Sequence, residues 1–372
     1  MKVLIICGSF HPIQSPRSFR STELAKELSR QGHHVTVITP RNDKEHNDFE
    51  NKYGIKINDL GPRPMPKKIP PKGWLHWVKR AQKRVLQLLF EYPSIKLMSQ
   101  TRRILKCESN YDLLISVAVP FPIHWGVASV WNTARQRDKL ANTWVADCGD
   151  PFMHSKHDSF PKMPWFHYFE NKFLRKADFV TVPFEEMIDL FNPRYKSKFR
   201  VIPQGFKFNN EDLAEYRPNP VPTLIYSGVI MLGYRDPFSL IDYLLKKDVK
   251  FKFILYTKQQ HLFSKYKAHL GNKIIIKDYI PREDLLQQLS KADFLVNVNT
   301  DSEGGKINAI PTKLIDYRIS GRPILSYEHS KLPKSIVDEF MSGNYENQFI
   351  DKNFDRYRIE NVAKKFLALA DA

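Results

Sequence analysis

Cysteine is nearly absent: the 372 residues hold three, Cys7, Cys107 and Cys148. They are odd in number and far apart, so no disulfide framework or zinc spacing follows, and free thiols in a reducing cytosol fit best. Glycine-rich phosphate loops are missing as well. No G-x-G-x-x-G follows the first strand, which disfavours a nicotinamide or flavin dehydrogenase, and no G-x-x-x-x-G-K-[ST] marks a P-loop kinase. Neither H-E-x-x-H nor G-x-S-x-G occurs. The apolar run Val3–Cys7 is too short for a signal peptide. A longer stretch, Leu113–Ala134, carries no charged side chain and has the length of a membrane span, but Pro120, Pro122, His124 and Asn132 interrupt it; it reads as strand, loop and helix.

Acid is scarce. Against 58 Lys and Arg there are 40 Asp and Glu, a formal charge of +18. The excess is local: residues 61–110 hold 12 basic and 2 acidic side chains, a net of +10. Within the basic segment 62–106, Trp74, Val78, Ala81, Val85, Leu88 and Tyr92 recur at helical spacing, with Trp77 widening the stripe and Lys79, Arg80, Lys83 and Arg84 clustered opposite. This pattern suits an interfacial helix on an anionic membrane. Its competitor is a core helix whose charged face meets solvent. Nucleic acid is the weakest reading, because no nucleic-acid motif accompanies the charge.

Along the chain, Lys2–Cys7 is a buried-strand run, Ser15-Pro16 a helix start and Val35–Thr39 a second strand, hence strand–helix–strand and a parallel sheet. Asp112–Val117, Thr143–Ala146 and Phe179–Val182 continue it. The pattern restarts at Thr223–Ser227 and runs through Phe251–Tyr256, Lys273–Ile276, Phe294–Val298 and Pro323–Ser326. Two doubly wound α/β domains are therefore expected: residues 1–205, residues 206–350, and a terminal helix in 351–372 that packs back on the first domain. Ligands of such sheets bind beyond the carboxyl ends of the strands.

One of those loops leads into Pro311-Thr312-Lys313-Leu314-Ile315-Asp316-Tyr317, followed by Gly321-Arg322-Pro323-Ile324. Thr312 and Lys313 at a helix N-terminus suit a phosphate, and Asp316 one turn on suits ribose hydroxyls. A capped surface helix is the plain alternative. The stretch resembles the donor-site helix of GT-B glycosyltransferases, close to family 4, where the pattern is Pro-Ser-Lys-Leu-x-Glu-Tyr-x-x-x-Gly-x-Pro. The opening strand with Phe10-His11-Pro12, Arg17, Arg20 and Gly32-His33-His34-Val35-Thr36-Val37 is similar to the family's N-terminus. Asp147-Cys148-Gly149-Asp150-Pro151 is similar to its Asp-x-Arg-Asp-Pro segment, and Tyr226-Ser227-Gly228 and Asp278-Tyr279-Ile280 also fall in order.

The resemblance implies a GT-B architecture, two Rossmann-like domains facing across a cleft, with acceptor side first and donor side second. It implies that Ser227 and Gly228 approach the diphosphate, Tyr279 and Ile280 hold the base, and Asp316 holds the ribose, with Thr312 beside it. Arg235 and Lys313 would neutralise the leaving diphosphate, and Asp150 would orient or activate the acceptor hydroxyl. Ser15, Arg17, Arg20, Asp147 and His124 are the further candidates on the acceptor or phosphate side. Departures from the pattern are Asn308 in place of the first acid of Glu-x7-Glu, Val229 in place of an Arg, and Ser15-Pro16 in place of a Gly-Gly pair.

The activity so implied is transfer of a sugar from a nucleotide diphosphate sugar, UDP before GDP, to a hydroxyl of a lipid-linked or membrane-held glycan acceptor in cell-surface polysaccharide synthesis. The reaction is expected to be retaining and independent of metal or other cofactor, and the protein cytoplasmic, peripheral on the inner face of the plasma membrane. A nucleotide-sugar epimerase or hydrolase on the same architecture, or a non-catalytic binding protein, are the alternatives.

Overall fold

The computed structural model describes residues 1–13, 15–64, 74–131, 140–154, 160–208, 213–301 and 312–371. The chain divides into two compact units, Met1–Lys207 with Asp355–Ala372, and Phe208–Phe354.

In the first unit, strand β1 (Lys2–Cys7) feeds helix α1 (Pro16–Arg30), which Ser15 caps by accepting from the Ser18 amide at 3.2 Å. Then come β2 (His34–Thr39), α2 (Asp43–Tyr53) and β3 (Lys56–Asp59). Next are α3 (Trp74–Phe90), α4 (Lys96–Leu105), β4 (Tyr111–Ala118), α5 (Pro122–Val130), β5 (Ala141–Cys148) and α6 (Phe166–Lys176). The edge is completed by β6 (Phe179–Val182) and β7 (Phe199–Val201). All seven strands are parallel, in the order β3-β2-β1-β4-β5-β6-β7. The run from Leu113 is strand β4 and helix α5, and among the described residues no helix is long and apolar enough to cross a membrane.

The second unit repeats the scheme with β8 (Thr223–Ser227), α7 (Phe238–Lys246), β9 (Lys252–Tyr256), β10 (Ile274–Lys277) and α8 (Arg282–Ser290). It continues through β11 (Phe294–Asn299), α9 (Thr312–Ile319), β12 (Ile324–Glu328) and α10 (Lys334–Met341). Its parallel sheet runs β10-β9-β8-β11-β12. The last helix, α11 (Ile359–Ala368), returns to the first unit, where Ile359, Val362, Ala363 and Phe366 join the core beside Val3, Ile5, Leu24 and Leu28.

Strands covered on both faces need nearly continuous apolar runs, and KVLIIC, YDLLISVA and FLVNVN supply them. Each strand order reverses direction once, between β1 and β4 in one unit and between β8 and β11 in the other. Such a switch point leaves a crevice at the carboxyl ends of the two strands. In the first unit its floor is tight: a Cβ on Gly8 would sit 2.7 Å from the Pro120 Cδ.

Candidate active site

Around the switch point of the second unit, the loop after β8 begins at Gly228. Its φ of +121° is closed to side-chain-bearing residues, although a Cβ there would meet nothing within 4 Å. Conformation, not space, demands glycine. The loop is clamped from outside. Gln259 brackets Ile230, accepting from its amide at 2.7 Å and donating to its carbonyl at 2.9 Å. Asp236 accepts from the Gly233 amide at 2.7 Å and lies 3.0 Å from His329 Nε2. Ser227 is buried, and its amide donates to the Tyr317 hydroxyl at 2.8 Å, which ties the end of β8 to α9.

Two cations meet here. Lys313, in the first turn of α9, places its Nζ 4.4 Å from the centre of the Tyr226 ring. Burial first, and the neighbouring Arg235 charge second, pull its amine down to about 7. The Arg235 Nε is buried without a hydrogen-bond partner. Among the described residues neither cation has an anion against it, and a cation drawn out of water without one is costly, so the pair favours a ligand of negative charge. Asp316 follows on α9 and accepts from Arg282 Nε at 2.8 Å. Burial raises its carboxyl and Arg282 opposes that rise. Tyr279 is exposed beneath Lys258, whose Nζ lies 5.3 Å from the ring, and Ile280 is half-buried next to it. The side chain of Thr312 and residues 302–311, Asn308 among them, lie outside the described residues.

The acceptor-side candidates of the first unit separate into two groups. Arg20 and Asp147 are 4% and 1% exposed. Arg20 donates to both Asp147 oxygens, at 2.5 and 2.6 Å, and to the carbonyls of Ile202 and Pro203 at 3.0 and 2.8 Å. Thr181 Oγ1 adds a bond to Asp147 at 2.7 Å. The pair is a buried brace between α1, β5 and the end of β7. This corrects the expectation of a ligand contact, because neither group presents a free face. His124 is corrected likewise. It is fully buried, 2.8 Å from Ser116 Oγ, and burial lowers its imidazole to about 4, so it is a neutral core residue. Ser15 acts as the cap of α1.

Arg17 and Asp150 form the second group. They pair at 2.7 Å, and Asp150 remains 47% exposed. The guanidinium of Arg17 lies so close over Gly149 that a Cβ there would fall 1.5 Å from its Nη1. That glycine is what lets the ion pair form at the end of β5.

Helix α3 presents its apolar stripe to solvent. Trp77 is 70% exposed, and Val78, Ala81 and Val85 are exposed as well. That exposure speaks against a core helix for this half, while Leu88 and Tyr92 at the far end of the stripe are half-buried. Arg80 lies 5.5 Å over the Trp77 ring, Lys79 and Lys83 are exposed, and Arg84 stacks on Phe160 at 5.4 Å. The side chain of Trp74 lies outside the described residues, as does the segment 65–73 before it.

No motif points to Arg282, Gln259 or the Asp236–His329 pair. Each acts through a partner at least 29 residues distant, and only the fold makes those distances short.

This geometry is that of a known architecture. A lipopolysaccharide outer core galactosyltransferase, WaaB, aligns over 99% of both chains with a TM-score of 0.56 at 12% identity. A glycosyltransferase from Rickettsia africae gives 0.60 at 13% identity, covering 99% of this chain and 97% of its own. A mutant of S. aureus TarM, in complex with fondaparinux, alpha-GlcNAc-glycerol and UDP, gives 0.57 at 12% identity over the full length of both. At such identities the likeness establishes the GT-B fold. No curated protein matches the chain in sequence. The family model for Glycosyltransferase Family 4, however, matches residues 20–209, just over half of the chain and most of the first unit. The chain is therefore a transferase belonging to glycosyltransferase family 4.

Proposed function

We propose that the protein transfers a sugar from a nucleotide diphosphate sugar to a hydroxyl of a lipid-linked or membrane-held glycan acceptor in cell-surface polysaccharide synthesis. The observation that carries the donor half is the pair Lys313 and Arg235, two cations with no anion against them among the described residues, at the switch point of the second unit. The β-phosphate of the leaving nucleotide supplies that anion. Charge builds on the departing oxygen as the glycosidic carbon becomes oxocarbenium-like, so cations fixed there stabilise the transition state more than the ground state. The reading assigns this neutralisation to protein side chains, hence metal-independent, and takes the outcome as retaining. Asp316 takes the ribose, with Arg282 orienting its carboxylate, while Tyr279 and Ile280 flank the base. UDP is the first nucleotide to test, being the one bound in the TarM complex.

On the acceptor side, Asp150, held by Arg17, orients the attacking hydroxyl. The open apolar stripe and cationic flank of α3 support an anionic membrane as the place where the acceptor is met, and a cytoplasmic protein peripheral on the inner face of the plasma membrane. Nucleic acid has no part in this reading.

A thermal-shift screen against UDP, GDP, TDP and CMP, followed by turnover with the matching sugar nucleotides, tests the donor assignment. Stabilisation by one diphosphate nucleotide is expected, and no response to any of them overturns it. Co-sedimentation tests the membrane assignment: anionic vesicles should retain the protein, and Lys79→Glu with Lys83→Glu should release it.

A further inference from the structure

At the carboxyl end of α3 lies an open groove of about 550 Å³, lined by Leu89, Phe90, Ile95, Trp165, Phe166 and Phe169. Its walls come from α3, from the turn before α4 and from the start of α6. The Trp165 indole donates to the Leu89 carbonyl at 3.0 Å, and Lys162 pairs with Glu91 at 2.8 Å, which fixes the two walls to each other. Phe90 and Trp165 are nevertheless largely exposed at the rim. Six apolar side chains enclosing a groove of this size, with rings left open to water, form a receptor for a hydrocarbon rather than an unfilled core.

Two features decide which hydrocarbon. The first is charge. Helix α3 carries no acid, and Lys83 lies seven residues, two turns, before Phe90 on the same face of the helix, about 10 Å along the axis at 1.5 Å per residue. A chain in the groove with a phosphate at its head meets that cation at the reach of a short alkyl segment. The second is the connection to the acceptor side. The loop leaving β5 carries Asp150, and two residues on Phe152 packs against Trp125 and Phe166 with ring centres 5.2 and 5.4 Å apart. The back of the groove and the acceptor-side carboxylate therefore hang from the same strand end.

We infer that this groove binds the hydrocarbon chain of the phosphate-bearing lipid carrier on which the acceptor glycan is built, with Lys83 taking the phosphate. The inference rests on the membrane-held acceptor proposed above and gives it a binding site. It separates two jobs on α3: the exposed stripe at Trp77 and Val78 lies on the bilayer surface, and the far end of the helix selects one chain out of it.

The test uses decyl phosphate, below its micelle-forming concentration, titrated calorimetrically into the full chain. Saturable binding is expected, undiminished by inorganic phosphate at equal concentration. Phe90→Asp removes an exposed ring, and Ile95→Trp fills the groove; each should weaken binding at least tenfold with UDP binding unchanged as the check on folding. Trp77→Ser, outside the groove, should leave decyl phosphate affinity within twofold while lowering co-sedimentation with vesicles of phosphatidylcholine and phosphatidylglycerol. Equal affinity in the wild type and both groove variants would overturn the inference, and so would an equal loss in Trp77→Ser, which marks unspecific adsorption to α3. If no nucleotide binds but the decyl phosphate pattern holds, the groove stands and the donor assignment alone fails; melting curves then replace UDP as the folding check.

Discussion

Arg20 in the first unit and Lys313 in the second are both basic side chains on a helix that follows a central strand, and both are largely removed from water. Arg20 has a carboxylate, two carbonyls and all three guanidinium nitrogens in use. Lys313 has the face of Tyr226, the repulsion of Arg235 and an amine pulled down to about 7. A buried charge with its partners supplied is architecture. One with no partner among the described residues is what the donor-site reading rests on. Sequence position alone treats them alike, since each lies within a turn of where a phosphate is expected.

The sharpest way to break the contrast is to remove one member of the brace. Arg20→Ala leaves Asp147 buried and unpaired, and the expected loss is about 3–5 kcal/mol in urea unfolding. Nucleotide affinity of the folded fraction should not change. A stability loss below about 1 kcal/mol would show that the pair is not the brace described.

Lys313→Met is the counterpart. It removes a buried amine, so stability should hold or rise, whereas turnover should fall about 10²–10³-fold, the range seen when one transition-state donor is lost. Arg235→Ala should lower turnover more than nucleotide binding. Unchanged kinetics in both variants would place the chemistry elsewhere.

Donor affinity should also depend on pH. In the empty site Lys313 titrates near 7, and a bound diphosphate favours its charged form and raises that value. Affinity is therefore full below about pH 7, where the amine is already protonated. It falls as pH rises through 7, by up to about tenfold per unit until the bound-state value is reached. The Lys313→Met variant should lose this slope.

The smallest effect is expected at Gly149→Ala. The new methyl displaces the Arg17 guanidinium, and loss of a half-exposed ion pair costs about 0–1 kcal/mol of stability. Turnover should drop through a raised acceptor KM. An unchanged acceptor KM would remove Asp150 from the site.

Most of the fold could be read from residues because buried parallel strands must be apolar runs. The two strands missed are β3 and β7, the outermost of their sheet. They are four and three residues long, with mixed polarity in KIND and FRV, too short for a period to show. Within the candidate site, Lys313 and Asp316 stand out because a helix start and a position one turn on suit a phosphate and a ribose, whereas Gly228 entered through the family resemblance. His124 entered through the family resemblance, although its own neighbours, Phe121, Pro122, Ile123 and Trp125, mark an apolar helix buried all round. The brace was hidden because Arg20 and Asp147 are 127 residues apart, and only the adjacency of β1, β4 and β5 brings them together.

One measurement bears most directly on the claim that an unpaired cation marks the donor site. UDP is titrated into the full chain at pH 8 in two buffers of different ionisation enthalpy, and the same is done for Lys313→Met. The account requires binding with uptake of close to one proton by the wild type and none by the variant. UDP binding with equal apparent enthalpy in both buffers, or no binding at all, would contradict it.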